Sequence, residues 1–228
     1  MPFKRDSMIA CLFSGGKDSM LALYKSMQQG IKPDLLITMQ SKNEFSYMFH
    51  RPDVEFTKLQ AEAMHIKQVF AYTEGIKEKE LDDIERVLAE NKVSTLITGA
   101  IASMYQKSRI EGICSKLAIR HIAPLWHMPQ EAVLEEVAKA FKAIIIQVSA
   151  EGLDKSYLGK AIDENMVERL KALSAKNGIN LAFEGGEAES FVLEAPMFDR
   201  RIAIKKAHEE WKGSVGRYII DEAKLEPI

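Results

Sequence analysis

One six-residue run near the amino terminus combines residue types that bind phosphate. It follows an apolar segment, precedes a segment of helical periodicity, and reads Ser14, Gly15, Gly16, Lys17, Asp18 and Ser19. Paired glycines let the backbone approach an anion closely, and a helix that begins here adds free N–H groups and the positive end of its dipole. The run therefore predicts a phosphate cradle in which Lys17 supplies a charge, Ser14 and Ser19 supply hydroxyl groups, and Asp18 contacts a Mg²⁺ ion on the polyphosphate.

Two familiar phosphate loops do not fit this run. A Walker A loop needs glycine five positions before the Gly-Lys glycine and Ser or Thr directly after the lysine, but Cys11 and Asp18 occupy those positions. The glycine-rich fingerprint of dinucleotide-binding folds needs its second glycine at the position that Lys17 occupies. A tight turn that Ser19 caps, with no ligand, is the alternative for a bare Gly-Gly pair. The complete run favours phosphate binding.

A second cluster of candidate residues lies near the carboxyl terminus. Glu184, Glu187 and Glu189 surround Gly185 and Gly186 and are followed by Ser190. Carboxylates this close repel one another, which suits the binding of a cation or the acceptance of a proton better than it suits a core. An acidic surface loop is the alternative interpretation.

Further candidates follow the second predicted strand. Met39 ends that strand, and Tyr47 and Phe49 come shortly after it, next to His50. Ligands bind at the carboxyl edge of such sheets, so the aromatic residues could wall an adenine or a substrate ring, with Met39 as a nucleotide contact. Core residues beneath a loop are the alternative.

The fourth predicted strand is followed by a comparable group. Gly99 and Ala100 are small enough to permit close approach of a nucleotide. Tyr105 and Arg109 lie on the next predicted helix, where an arginine fork could clamp a phosphate or a carboxylate. A solvated charged helix face is the alternative.

The hydrophobic pattern indicates the elements that position these residues. Short apolar runs alternate with segments of helical period, as in parallel strands joined by crossover helices. The predicted strands cover residues 9–13, 35–39, 68–72, 95–98 and 121–125. The predicted helices cover residues 20–27, 54–65, 77–91 and 103–120. We therefore expect an α/β fold, with a doubly wound, mainly parallel five-stranded sheet, in a phosphate-binding domain of residues 1–127.

The pattern becomes less regular after this domain. Predicted helices cover residues 129–141 and 163–176, and predicted strands cover residues 143–148, 190–193, 201–205 and 218–220. Turn residues separate the last strands. We expect a smaller C-terminal α+β domain, residues 128–228, that binds the substrate.

Composition excludes several classes of protein. The 228 residues are 46% hydrophobic and carry a formal charge of −2, which excludes disordered chains and a global positive field for nucleic acid. Apolar runs stay short of the roughly 18 residues that a membrane span needs, and the start lacks a secretory signal. Cys11 and Cys114 have no zinc-ligand spacing, so we read both as thiols. We expect a cytoplasmic protein with no membrane or stable nucleic-acid partner.

The phosphate run also resembles the PP-loop of N-type ATP pyrophosphatases, which split ATP between its α and β phosphates. Other stretches resemble one branch of these enzymes, the diphthine–ammonia ligases, or diphthamide synthetases. The stretches are 46–50 (SYMFH), 99–111 (GAIASMYQKSRIE), 124–126 (PLW), 148–153 (VSAEGL) and 184–190 (EGGEAES). Because they span nearly the whole chain, they are more specific than the loop alone, and they imply a fold of the adenine nucleotide alpha hydrolase kind.

The resemblance implies a reaction as well as a fold. ATP, with Mg²⁺, would adenylate the carboxylate of diphthine on elongation factor two. Ammonium would then supply the nitrogen, and diphthamide, AMP and pyrophosphate would leave. The resemblance leaves a homodimer open.

The same resemblance assigns roles to the candidate residues. The catalytic residues would be Lys17, Asp18, Glu187 and Glu189. ATP would contact Met39, Gly99, Ala100 and the six residues of the phosphate run. The substrate would contact Tyr47, Phe49, His50, Tyr105, Arg109, Glu184, Gly185, Gly186, Glu187, Glu189 and Ser190.

The chain departs from the ligase pattern at two positions. These ligases usually show an aromatic residue and then Glu-Thr after Gly-Gly-Glu, whereas this chain has Ala188 and Ser190. Serine keeps the hydroxyl group, but alanine loses an aromatic face that could contact a cation. Two alternatives stay open: a PP-loop enzyme that acts on another carboxylate or on tRNA, and a sensor that binds adenine nucleotide without cleaving it.

Overall fold

Five short strands form a parallel sheet in the computed structural model, which describes residues 7–41, 54–74 and 79–228. The predicted substrate residues Tyr47, Phe49 and His50 lie outside these ranges. The strands are β1 (Met8–Leu12), β2 (Leu35–Ser41), β3 (Lys67–Thr73), β4 (Val93–Ile97) and β5 (Arg120–Ile122). Their order is β3-β2-β1-β4-β5, and all neighbours run parallel. The chain reverses its direction of travel between β1 and β4, which opens a crevice at their carboxyl ends.

Helices cover both faces of this sheet. They are α1 (Lys17–Gln28), α2 (Thr57–Ala63), α3 (Lys79–Glu90) and α4 (Met104–Lys116). Successive side chains of a strand face opposite sides. Cys11 and Leu36 accordingly belong to one buried cluster with α1 and α2 residues, and Ala10 and Leu35 belong to another with α3 and α4 residues. The predicted doubly wound sheet is confirmed.

The second half of the chain forms a separate antiparallel sheet with two helices. The elements are α5 (Gln130–Ala140), β6 (Lys142–Val148), α6 (Glu164–Asn177), β7 (Ala188–Glu194), β8 (Arg200–Lys212) and β9 (Val215–Pro227). The strand order is β7-β6-β9-β8. Asp163 caps the start of α6 by accepting a hydrogen bond from the Met166 N–H, and Gly178 ends the helix in the left-handed conformation. Within the parts of the chain described, no helix is long and apolar enough to cross a membrane.

The two sheets share one hydrophobic core. The cluster on the α1 and α2 face of the parallel sheet continues into β6 and β7, and includes Phe13, Ile97, Ile145, Phe191 and Val192. The antiparallel sheet therefore packs on the side of the parallel sheet that carries the phosphate run. The division of the chain at residues 127 and 128 stays a prediction.

Several elements differ in length from the sequence prediction. The last two strands were expected at 201–205 and 218–220, but β8 and β9 pair along a hairpin that turns at Gly213, whose φ is 62°. The many charged residues in these strands interrupt the alternation of apolar and polar side chains from which strands are predicted. The helix expected at 103–120 ends earlier, at Lys116, because Ala118 adopts a left-handed conformation with φ 53°.

Candidate active site between the two sheets

The phosphate run turns sharply between β1 and α1. Gly15 has φ +75°, and a Cβ there would lie 2.5 Å from Gln60 Oε1 and 2.7 Å from Thr57 Cγ2. Both the conformation and the space require glycine. Ser19 Oγ accepts a hydrogen bond from the Ser14 N–H at 3.3 Å and lies 3.1 Å from the Gly16 carbonyl oxygen. These bonds fold the run back on the first turn of α1, as a phosphate cradle requires.

Strand β7 of the second sheet lies directly against this run. The Lys17 N–H donates to Ser190 Oγ at 3.1 Å, and the Val192 N–H donates to the Gly15 carbonyl oxygen at 3.1 Å. Ser190 is 5% exposed. The predicted substrate residue Ser190 is thus in contact with the predicted ATP loop, although more than 170 residues separate them in sequence.

The Lys17 side chain is buried and points toward the second half of the chain. Its ammonium group bonds both carboxylate oxygens of Asp18 at 2.8 and 2.9 Å and the Ala182 carbonyl oxygen at 2.5 Å. It also lies 4.9 Å from the centre of the Phe183 ring. Lys17 therefore joins the loop to residues 182–183, and it must exchange these partners to reach a phosphate. The catalytic roles of Lys17 and Asp18 stay predictions.

Glu184 binds the start of α4. Its Oε1 accepts from the backbone N–H groups of Ile101, Ala102 and Ser103, at 3.2, 3.0 and 3.3 Å. A carboxylate is stabilised there by the unpaired N–H groups and the positive end of the helix dipole. The acidic segment 184–190 therefore spans from α4 to the phosphate run.

The other residues of the acidic segment have different surroundings. Glu187 accepts from the Asn180 N–H at 3.0 Å and from the Gly185 N–H at 2.9 Å, so its carboxylate fixes the turn that precedes β7. Gly186 has φ +81°, in the left-handed region. Glu189 lies on β7 opposite Gln147 of β6. The predicted base roles of Glu187 and Glu189 stay predictions.

On α4, Arg109 stacks on an aromatic ring. Its guanidinium carbon is 3.4 Å from the centre of the Tyr105 ring, and Nη1 donates to the Tyr105 carbonyl oxygen at 3.4 Å. Lys107 instead pairs with Glu111 at 2.7 Å. The stack presents the guanidinium group in a fixed orientation, as anion recognition requires.

Three residues predicted to contact a nucleotide lie in different surroundings: Gly99, Ala100 and Met39. A Cβ at Gly99 would lie 2.8 to 2.9 Å from backbone atoms of Asp18 and Ser19, so this glycine makes room for the first turn of α1. Ala100 follows it in the loop before α4. Met39 is 6% exposed and belongs to the buried cluster on the α3 and α4 face. Their contacts with a nucleotide stay predictions.

Sequence reasoning missed Gln60, Ala182 and Phe183. Gln60 is fully buried on α2, and its Nε2 donates to the Gly15 and Val192 carbonyl oxygens. The sequence did contain an indication for Gln60, because it lies three residues after Thr57 and four before Met64, which is the spacing of the buried face of an amphipathic helix. Ala182 and Phe183 carry no signal of their own in sequence.

Titratable groups near the carboxyl edge are affected by burial and by their neighbours. Burial lowers the pKa of His121, whose Nε2 lies 2.8 Å from Thr98 Oγ1. The hydrogen bond from Lys107 lowers the pKa of the Glu111 carboxyl group. Burial raises the pKa of Cys11 to about 12 and that of Cys114 to about 11, and both cysteines are free thiols.

The residues at the loop fit a magnesium ion that arrives on ATP. Such an ion is held by phosphate oxygens and water, with one or two carboxylates. Asp18 is a carboxylate on the loop, and it would have to exchange Lys17 for the ion. Across residues 7–41, 54–74 and 79–228, no group of three or more His, Cys, Asp and Glu side chains could hold a metal by itself.

Comparison with known proteins agrees with this arrangement. The family described as diphthamide synthase N-terminal domain matches residues 7–121, and the diphthamide synthase C-terminal domain matches residues 129–225. The diphthine–ammonia ligase of Mus musculus is 33% identical over 221 residues, covering 86% of this chain and 82% of its own. That of Homo sapiens is 32% identical over 220 residues, with the same coverage of both chains.

Among solved structures, a predicted subunit of tRNA methyltransferase from Methanocaldococcus jannaschii is similar at a low level. It is 18% identical, covers 83% of this chain and 98% of its own, and has a TM-score of 0.43. The family matches cover nearly the whole length, and the structure brings segment 184–190 into contact with both the phosphate run and the start of α4. The chain belongs to the diphthamide synthase family.

Proposed function

We propose that this protein is an ATP-dependent ligase that converts diphthine on elongation factor two to diphthamide with ammonium as the nitrogen source. One observation carries the proposal: the acidic segment 184–190 bonds both the phosphate run, through Ser190, and the start of α4, through Glu184. This contact supports our inference that ATP and the second substrate would bind next to each other in one crevice. Relatives named diphthine–ammonia ligase support the choice of substrate.

The proposed reaction has two steps. A carboxylate oxygen of diphthine attacks the α phosphorus of ATP, and the bond to the β phosphate breaks, so that pyrophosphate leaves. Ammonium loses one proton to give ammonia, whose nitrogen then attacks the acyl carbon. AMP leaves with the former carboxylate oxygen, and a second proton is lost from nitrogen to give the neutral amide. The first step is needed because a carboxylate becomes a useful electrophile only when its oxygen can leave.

The residues of the site would take separate parts in this reaction. The phosphate run would bind the β and γ phosphates through backbone N–H groups and the hydroxyls of Ser14 and Ser19. Magnesium, when bound, would neutralise charge on the departing pyrophosphate. The proton acceptor would be Glu187 or Glu189, and both oxygens of Glu187 already accept hydrogen bonds from backbone N–H groups. Arg109, stacked on Tyr105, would bind an anionic group of the protein substrate.

Two further assignments belong to the proposal. The first 127 residues would bind ATP and the remainder would bind diphthine, which the two family matches support. Since the substrate is a translation factor, the reaction would take place in the cytoplasm.

The test is an assay with purified components. The protein is incubated with ATP, Mg²⁺, ammonium and diphthine-bearing elongation factor two, and AMP, pyrophosphate and the mass of the modified histidine are measured. AMP formation matched by conversion of acid to amide is the expected result. ATP bound but left uncleaved would indicate a sensor, and AMP formed only with another acceptor would refute the proposed substrate.

A pair of lysine variants makes the assay specific for the site. Lys17→Met removes the ammonium group beside Asp18, and we expect AMP formation to fall by about 100-fold or more. Lys25→Met is the control, because Lys25 also lies on α1 in an ion pair, with Glu136 at 2.7 Å, but outside the site. It should retain activity to within about two-fold, since exposed ion pairs contribute little. Equal activity of the two variants would contradict the role of Lys17.

A further inference from the structure

The buried amide of Gln60 connects three parts of the molecule. Gln60 is 0% exposed on α2. Its Nε2 donates to the carbonyl oxygen of Gly15 in the phosphate run at 2.9 Å and to that of Val192 on β7 at 2.7 Å. One side chain thus bonds both the loop and the strand that carries the acidic segment.

The orientation of this amide is determined by its surroundings. Both partners are carbonyl oxygens, which only accept hydrogen bonds, so both N–H groups of the amide must point toward them. The opposite orientation would place Oε1 against two oxygens. Among the residues that the structure describes, Oε1 has no hydrogen-bond partner. The site retains this unfavourable buried acceptor while keeping both N–H groups on the carbonyls.

The bond to Gly15 has a direct consequence for the loop. The Gly15 carbonyl accepts from Gln60 and also from the Val192 N–H, so it is held toward α2 and β7. In a planar trans peptide the C=O and the following N–H point in opposite directions. The Gly16 N–H is therefore turned away from α2 and β7, and it donates to Ser14 Oγ of the phosphate run at 3.4 Å.

We propose that Gln60 is a positioning residue for ATP: its amide holds the Gly15–Gly16 peptide in the orientation that binds phosphate and ties this orientation to strand β7. The inference rests on the proposed function only in taking ATP as the ligand of the loop. It predicts that the affinity for ATP depends on a side chain that does not touch ATP.

The test compares the buried Gln60 with the half-buried Gln68. Gln60→Met keeps the approximate volume and removes both N–H donors. Gln68→Met is the matched control, because Gln68 Nε2 also makes two hydrogen bonds behind the loop, to Thr38 Oγ1 at 2.7 Å and Thr57 Oγ1 at 2.8 Å, but contacts neither Gly15 nor Val192. Calorimetry measures the Kd of a non-cleavable ATP analogue for each, and urea unfolding measures stability.

We expect Gln60→Met to weaken binding of the analogue by about ten-fold or more, and Gln68→Met by less than about two-fold at a comparable loss of stability. In the full assay, Gln60→Met should raise the KM for ATP while leaving the KM for ammonium unchanged. A general loss of structure would instead change the KM for ATP and the KM for ammonium together. If Gln60→Met does not fold, Gln60→Asn replaces it, since it keeps an amide that is one methylene too short to reach both carbonyls.

The outcomes separate the inference from the proposed function. Unchanged affinity for the analogue in a folded Gln60 variant would overturn the inference. Equal weakening in both variants would overturn it too, because the effect would then be one of general stability. If the wild-type protein binds the analogue but does not amidate diphthine, the proposed substrate fails while the role of Gln60 stands.

Discussion

Replacement of Gly99 by alanine is a direct test of how the site is assembled. The Cβ that Gly99→Ala adds would lie 2.8 Å from the carbonyl carbon of Asp18 and 2.9 Å from the backbone nitrogen of Ser19. Ordinary contacts begin at 3.4 Å, so the first turn of α1 must move by about half an ångström. These are backbone atoms, which cannot relax by rotation of a side chain. The substitution therefore disturbs the helix start that should bind phosphate.

The expected cost follows from two opposing effects. Overpacking of this kind costs roughly 1–3 kcal/mol. Gly99 is not in the left-handed region, so backbone strain adds nothing, and the reduced freedom of the unfolded chain returns about 0.4–1 kcal/mol. We expect a net loss of about 1–2 kcal/mol in the free energy of unfolding, measured in urea without ligand, and weaker binding of a non-cleavable ATP analogue.

The chain provides a matched control in Gly112. This glycine lies within α4, and a Cβ there would meet nothing within 4 Å. Gly112→Ala should stabilise the protein by about 0.5–1 kcal/mol, because alanine favours the helix, and leave ATP affinity unchanged. If Gly99→Ala proved as stable as the wild type, the packing argument would be wrong. Weaker ATP binding without any loss of stability would instead favour a direct contact between Gly99 and the nucleotide.

Two further predictions concern groups around this edge of the sheet. Glu184→Ala removes the carboxylate that accepts hydrogen bonds from three N–H groups at the start of α4. This substitution should lower the free energy of unfolding by about 2 kcal/mol. Glu184→Gln keeps one neutral acceptor and should lower it by about half as much. Equal stability of wild type and Glu184→Ala in urea would disprove the interaction. Burial lowers the pKa of His121 in the folded protein below 6.5, so this histidine binds a proton more readily in the unfolded chain. The stability that the protein has above pH 6.5 is therefore lost as the pH falls through the folded-state pKa. His121→Gln should therefore lose less stability than the wild type between pH 7 and pH 5, and parallel pH profiles in urea unfolding would contradict this.

The sequence was sufficient for the elements and for the position of the phosphate run. Strands β1, β2 and β4 are short, mainly apolar runs, and Ser14 follows β1 at a turn that Gly15 makes recognisable. These features depend on local pattern. The run and the carboxyl ends of β1 and β4 then meet because parallel strands place those ends at one edge.

The partners of the charged groups could not be predicted in this way. The ammonium group of Lys17 bonds the Ala182 carbonyl oxygen, a contact across 165 positions of sequence, while its expected contact with phosphate stays a prediction. The Glu184 carboxylate accepts from N–H groups at the start of α4, and its expected contact with a cationic substrate stays a prediction too. Every helix start offers such donors, and only the packing of the two sheets decides which carboxylate reaches them.

The contact between β7 and the phosphate run limits how this architecture can be recombined. Exchange of the second half with that of a relative would preserve the main-chain bond from residue 192 to Gly15 whatever its side chain, but the bond at Lys17 needs a hydroxyl at position 190. A chimera that carries the second half of another chain would therefore have a changed affinity for ATP. New specificity is better sought by substitution within residues 184–189, with the rest of β7 retained beside its loop.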